Sequence, residues 1–227
     1  FGKPCGLLDQ MTSSVGSFVE IDFADPANPV IEKLDFDFAS CGYALCIVDT
    51  GGSHSDLTDE YAAVRKEMES VAEYLGKSVL REVDEDEFMK NIADIRSSCG
   101  DRAVLRAMHF YGDNARVEKQ AAALKAGDFE TFKKYIIESG RSSYMYNQNV
   151  YSCKKVSEQP VSLALSLSEK LLDGCGAWRV HGGGFAGTIQ AFVPLNKLDE
   201  YKDLMEKVFG SGSCYILSVR PVGGVEL

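Results

Sequence analysis

No apolar run in the 227-residue chain approaches the ~18 residues that a membrane-spanning helix requires, which excludes a helical span. Positive charge is also scarce. Lys and Arg number 24 against 34 Asp and Glu, and the formal charge of -10 excludes the basic face that grips a nucleic-acid backbone. Seven cysteines, an odd number with no Cys-x-x-Cys pair, fit neither a disulfide scaffold nor a zinc site. Reduced thiols in a cytoplasm are the expectation. An initiator methionine is missing too: Phe1 opens the sequence directly on a motif-like stretch, which reads as an N-terminal truncation. Phe1-Gly2-Lys3-Pro4-Cys5 has no signal-peptide character, and a targeting segment upstream of it would not be visible. There is no internal repeat and no low-complexity linker.

What the chain does carry is 45% hydrophobic and 26% charged residues, enough for the core of one large domain or two small ones. Three apolar runs, at 18–23, 30–34 and 43–48, are separated by turn residues and predict a small β-meander. From Asp56 the period changes. Leu57, Tyr61, Val64, Met68, Val71 and Leu75 recur at spacings of four and three, one face of a helix that Gly76 ends. Further helices are predicted at 84–95, 101–126, 128–139 and 159–173. Strands at 177–181, 188–193 and 214–220, with a helix at 196–209, complete a sheet-and-helix tail of ferredoxin-like type. The class is α+β.

Gly182, Gly184 and Gly187 match G-x-G-x-x-G, a spacing that lets a backbone approach phosphate closely. A dinucleotide fold needs a helix directly after the glycines, whereas a β-branched and aromatic strand follows here. A protein kinase needs H-R-D and D-F-G downstream, and only 40 residues follow Gly187. A lipase-like reading of His181-Gly182-Gly183-Gly184 needs a later G-x-S-x-G, which is absent. A tight turn between two strands, requiring positive φ, stays open as the structural reading.

Three segments in order then resemble galactokinases: Gly2-Lys3-Pro4-Cys5-Gly6-Leu7-Leu8-Asp9-Gln10, Ser55-Asp56-Leu57-Thr58-Asp59-Glu60-Tyr61 with Arg65, and Gly182-Gly183-Gly184-Phe185-Ala186-Gly187. Arg106-Ala107-Met108-His109-Phe110-Tyr111, Asn114, Arg116-Val117 and the stretch from Ala123 to Asp128 extend the likeness over nearly the whole chain. Leu8 stands where that family usually has methionine, Ala186 where it has glycine, and His181 where threonine is commoner. Ser139 to Tyr146 departs further, since the family tends to show a Ser-His pair there and a later Ser-Cys-Pro. The family's Gly-Glu-His-Thr-Asp sugar signature and its Pro-x-x-x-Gly-Leu-Ser-Ser-Ser phosphate loop are both absent.

The resemblance implies transfer of the γ-phosphoryl of ATP to the anomeric hydroxyl of galactose, in a superfamily shared with homoserine, mevalonate and phosphomevalonate kinases. It implies residues 1–50 as the remainder of an N-terminal kinase domain and 51–227 as a C-terminal domain carrying the glycine-rich loop. Asp9 would be the base at the sugar hydroxyl, with Gly6, Asp9 and Tyr61 touching the sugar. Gly182, Gly183, Gly184, Phe185 and Gly187 would lie beside the transferring phosphate. ATP with Mg is the implied cofactor, held mainly by motifs this sequence lacks, with no metal ligand expected here and no activity expected of the chain alone. Partners are then a small sugar and ATP, without nucleic acid or membrane, in a cytoplasmic protein whose oligomeric state the sequence leaves open. A relative acting on N-acetylgalactosamine or arabinose, and a non-catalytic sugar and ATP sensor, are the alternatives. From the residues alone Asp9 reads as a helix cap, Tyr61 as core packing and His109 as a satisfied core histidine. His54 reads as a loop residue, and the acidic runs at 84–87 and 199–200 as helix starts or solvated faces.

Overall fold

The structure, a computed structural model, describes residues 7–25, 27–52 and 57–224. His54 and Gly6 lie outside them. Among the described residues the chain opens with α1 (Leu8–Val15), then β1 (Phe18–Asp22), β2 (Val30–Leu34) and β3 (Tyr43–Asp49). A helical middle follows: α2 (Thr58–Tyr74), α3 (Glu85–Lys90), α4 (Ile92–Cys99), α5 (Asp101–Lys125), α6 (Phe129–Ser142) and α7 (Pro160–Leu172). The end is β4 (Ala177–Val180), β5 (Thr188–Pro194), α8 (Leu198–Phe209) and β6 (Cys214–Leu217). The class is α+β, as expected. The helix expected over 84–95 is instead two helices, because the Asn91 side chain bonds back to Glu87 O at 2.8 Å and interrupts the run.

The expected meander is corrected. β1 and β2 form a two-stranded hairpin, but β3 leaves them and enters a four-stranded antiparallel sheet of order β4-β5-β3-β6. The reason is burial on both sides. Ala44, Cys46 and Val48 are fully covered on one face, while Tyr43 and Leu45 pack into the aromatic core on the other. A two-stranded hairpin offers cover for neither face, and β2 is exposed at four of its five positions. Strand β3 therefore goes where two layers of helices meet it, at the sheet's centre. The sheet draws strands from both sides of residue 50.

On one face α7 and α8 bring Val161, Ala164, Leu172, Tyr201 and Met205 against the sheet. On the other, Phe129, Phe132, Phe192 and Phe38 pack edge-on and stacked with centroids 5.4–5.9 Å apart. Each buried ring stabilises by roughly 1.5–3 kcal/mol, so this cluster fixes α6 on the sheet. A third cluster, around Val71, Phe88, Ile95 and Ala107, joins α2, α4 and α5. Arg106 crosses this bundle with 0% exposure, donating to Glu67 Oε2 at 2.9 Å and to Asn147 O at 3.1 Å. It thereby ties the bundle to the segment after α6.

His109 is satisfied inside the protein, as its aromatic setting predicts. Its Nδ1 lies 2.9 Å from Ser142 Oγ and its Nε2 3.6 Å from Asp113 Oδ2, with Asp113 also accepting from Arg116 and Ser139. Burial lowers its pKa first of all, Arg116 and Arg179 lower it further, and Asp113 opposes them. The folded imidazole therefore takes up its proton at lower pH than the unfolded one, whose pKa is about 6.5. Below that value the unfolded state binds more protons, and stability must fall as pH drops from 7 towards 5. Urea unfolding across this range is expected to show the loss, and His109→Gln to reduce its slope. The remaining slope belongs in part to His181, whose pKa is lowered in the same direction.

Candidate functional site

The connection from β4 to β5 is the glycine cluster. Thr188 begins β5 directly after it, so the cluster is a strand-to-strand turn and no helix follows. Gly182, Gly184 and Gly187 take φ of 69°, 82° and 90°, and Phe185 also lies at 58°. These are left-handed positions that glycine occupies without steric cost, and Phe185 must be held there by its surroundings.

What holds it comes from two distant places. Asn149 accepts from Phe185 N at 2.5 Å with its backbone carbonyl, and its side chain donates to Gly183 O at 3.1 Å. Tyr61, on the first turn of α2, donates its hydroxyl to Gly184 O at 2.8 Å and packs edge-on against Phe185 at 5.4 Å. The fit is close: a Cβ on Gly183 would stand 2.8 Å from Tyr61 Cε1, and one on Gly184 would stand 1.9 Å from Asn149 O. Burial raises the Tyr61 pKa, so the phenol keeps its proton. Thr50, after β3, donates its amide and its hydroxyl to Gly187 O at 2.9 and 2.7 Å. Ser152 Oγ donates to Glu60 Oε1 at 2.8 Å and ties the Asn149 segment to α2 a second time.

The turn is thus divided. Phe185 and Ala186 are 4% and 5% exposed, in a small cluster with Leu57, Tyr61 and Val64. Gly182 and Gly183 are exposed, and among the described residues their amides donate no hydrogen bond. A Cβ on Gly182 would meet nothing within 4 Å. Two exposed glycine amides thus stand on a braced turn without an acceptor among the described residues, an arrangement that can receive an anionic oxygen.

Asp9 lies in the first turn of α1, whose preceding residue is Leu7 and makes no side-chain cap. A helix cap is therefore not its place. Its carboxylate is exposed, and its charge pulls on His181, at the head of the glycine turn. Burial lowers the His181 pKa first, Arg179 lowers it further, and Asp9 opposes both. The His181 ring is held by Nδ1 at 3.1 Å from Thr188 Oγ1. Tyr61, Gly182, Gly183, Gly184, Phe185 and Gly187 are thus brought together, and among the described residues Asp9 is linked to them only through its charge acting on His181. Sequence reasoning missed Asn149 and Thr50. Neither falls in a motif, and Asn149 lies three residues beyond the Ser139–Tyr146 stretch that departs from the family pattern.

Among the described residues no three His, Cys, Asp or Glu side chains gather as they do around a metal ion. The six described cysteines are free thiols. No described helix is long and apolar enough to cross a membrane.

The fold is shared with a galactokinase and a mevalonate kinase. The galactokinase of Lactococcus lactis, solved with galactose, superposes with a TM-score of 0.72 at 21% identity, covering 100% of this chain and 57% of that one. The L. major mevalonate kinase, solved with R-mevalonate, gives 0.59 at 12% identity over 99% of this chain and 55% of that one. In sequence the chain is similar to galactokinases, in keeping with its motifs. The human galactokinase is 30% identical over 226 residues, 100% of this chain and 54% of its own length. That of Actinobacillus pleuropneumoniae serotype 5b is 26% identical over 204 residues, 90% of this chain and 50% of its own length. The chain spans about half the length of the curated relatives it matches. No family model matches it.

Proposed function

We propose that this chain supplies one side of a galactokinase active site, where the γ-phosphoryl of ATP passes to the anomeric hydroxyl of galactose. The observation that carries the reading is the divided glycine turn: two exposed amides without acceptors among the described residues, braced by Tyr61 and Asn149, with the Asp9 charge acting on His181 at its head. Phosphoryl transfer needs little covalent work from a protein, so positioning and charge stabilisation are what these residues contribute.

Asp9 accepts a hydrogen bond from the sugar hydroxyl, orients it, and takes its proton as the oxygen bonds to phosphorus. The proton moves as the hydroxyl oxygen bonds to phosphorus and becomes acidic, so the carboxylate first orients the hydroxyl and then receives its proton. The amides of Gly182 and Gly183 present their N–H groups to the charge that spreads over the transferring phosphoryl oxygens. Tyr61 fixes the turn through Gly184 O, and the reading places it beside the sugar. ATP, bound with Mg, supplies the phosphoryl group. The described residues present amide donors for its phosphate but no carboxylate cluster for its cation, which the half of the relatives' length unmatched here would hold.

An ADP-release assay tests this with two proteins: the chain alone, and the chain fused to the portion of the human galactokinase that it does not match. The chain alone is expected to be silent and the fusion to turn over galactose. Turnover of N-acetylgalactosamine or arabinose without galactose would replace the sugar, and a fusion that binds both substrates without turnover would favour a sensor.

A further inference from the structure

His181 stands at the head of the glycine turn, where threonine is commoner in galactokinases. Its backbone is fixed to the neighbouring strand, the amide donating to Thr188 O at 3.0 Å. Its ring is fixed at one nitrogen only, with Nδ1 3.1 Å from Thr188 Oγ1. Among the described residues the other nitrogen, Nε2, has no hydrogen-bond or ion-pair partner. The turn beside it is held from below by Asn149, which α6 delivers through a single π-turn, Ser143–Asn147, closed by Gln148 in the left-handed region at φ 54°. His181, Gly182 and Gly183 are all exposed. A half-anchored imidazole therefore sits next in the chain to two amides that donate no hydrogen bond among the described residues.

The anchor suits both protonation states of the ring, because a hydroxyl both donates and accepts. When the imidazole is neutral, the Thr188 hydroxyl donates to Nδ1 and the ring proton sits on Nε2. When it is charged, Nδ1–H donates to the same oxygen. Nε2 carries a hydrogen in either state, and the ring need not turn to change its charge. Two charged groups act on it, Arg179 from its own strand and Asp9 from α1. Burial first and Arg179 second disfavour the imidazolium, and Asp9 favours it. A phosphate anion on the turn would act in the same sense as Asp9.

We propose that His181 is a further catalytic residue, its Nε2–H giving the transferring phosphoryl group a third donor beside the amides of Gly182 and Gly183. The inference rests on the kinase reading for the identity of that group. Arrival of the polyphosphate draws a proton from solvent onto Nδ1, and the Nε2–H bond to phosphate becomes charge-assisted, about twice as strong as a neutral one. That proton stays on the ring, so Asp9 remains the group that receives the sugar's proton. A threonine at this position offers a hydroxyl but no charge.

The sequence holds three histidines, His54, His109 and His181, so each imidazole can be followed by NMR in the intact chain. The probe is inorganic triphosphate at millimolar concentration and fixed ionic strength. The His181 titration midpoint is expected to rise by at least about half a pH unit, with the Gly182 and Gly183 amide resonances moving on the same saturable curve. His109, satisfied inside the protein, should keep its midpoint. In the galactokinase fusion, His181→Thr is expected to lower kcat by about tenfold at pH 6 and by less than about threefold at pH 9, where the ring is neutral, with KM for galactose changed less than about twofold. A His181 midpoint that triphosphate leaves in place, or a loss of kcat equal at the two pH values, would overturn the proposal and leave the kinase reading standing. A fusion silent towards galactose would overturn that reading instead, and the triphosphate titration of the chain would still decide the role of His181.

Discussion

Asp9→Asn, made in the galactokinase fusion, is expected to lower turnover of galactose by about 10²–10⁴-fold, the usual contribution of a positioned acid or base. Galactose affinity should change less than about threefold, because the amide keeps one acceptor oxygen and the side-chain shape. The carboxylate is exposed in the first turn of α1, and its role rests on place. Place matters here because its charge reaches His181, at the head of the exposed half of the glycine turn. Steady-state kinetics and calorimetric titration with galactose separate the two effects. Turnover left unchanged would reduce Asp9 to an acidic residue that complements the α1 dipole, a contribution of only about 0.3–1 kcal/mol.

Gly184→Ala should destabilise the chain by about 3 kcal/mol or more, through backbone strain and loss of a packed contact. The new Cβ would stand 1.9 Å from Asn149 O and 2.9 Å from Asn149 C, backbone atoms that no side-chain rotation moves aside. It would also sit at φ 82°. Relief requires moving the Asn149 segment, and with it the bond to Phe185 N and the Ser152 link to Glu60. At this chain length each kcal/mol lowers the melting temperature by about 2–4 °C, so a fall of about 6–12 °C is expected. Gly182→Ala is the internal control. It has similar φ, 69°, but nothing within 4 Å of the added carbon, and should cost about 1 kcal/mol for conformation alone. Equal melting temperatures for the two variants would show that the turn is not clamped.

Much of the fold was legible because its signals are local. The four-and-three spacing from Leu57 to Leu75 places α2, Gly76 and Gly127 follow the ends of two helices, and β5 reads directly from Thr188-Ile189-Gln190-Ala191-Phe192-Val193. The partner of a strand is a different matter. Tyr43–Asp49 has the same alternating look whether it closes a meander or enters a larger sheet, and its partners β5 and β6 lie more than 130 residues away. The choice follows from burial on both faces, which no window around residue 46 contains. The π-turn was invisible for a related reason. Ser143-Tyr144-Met145-Tyr146-Asn147 has no glycine or proline to mark a change of helix type, and its geometry is imposed by Arg106 holding Asn147 O.

The site divides along the same line. From the order of residues alone come Asp9 beside Gln10, Tyr61 on a helix face, and three glycines spaced for positive φ. The resemblance to galactokinases rests on that order too. Only the tertiary structure joins them: the Tyr61 hydroxyl on Gly184 O, the Asn149 carbonyl on Phe185 N, and the Asp9 charge on His181. A glycine motif states where the backbone is free to take an unusual turn. It does not state what braces the turn, because bracing atoms need only be close in space: Asn149 is 34 and 36 residues, and Thr50 137 residues, from the atoms they hold.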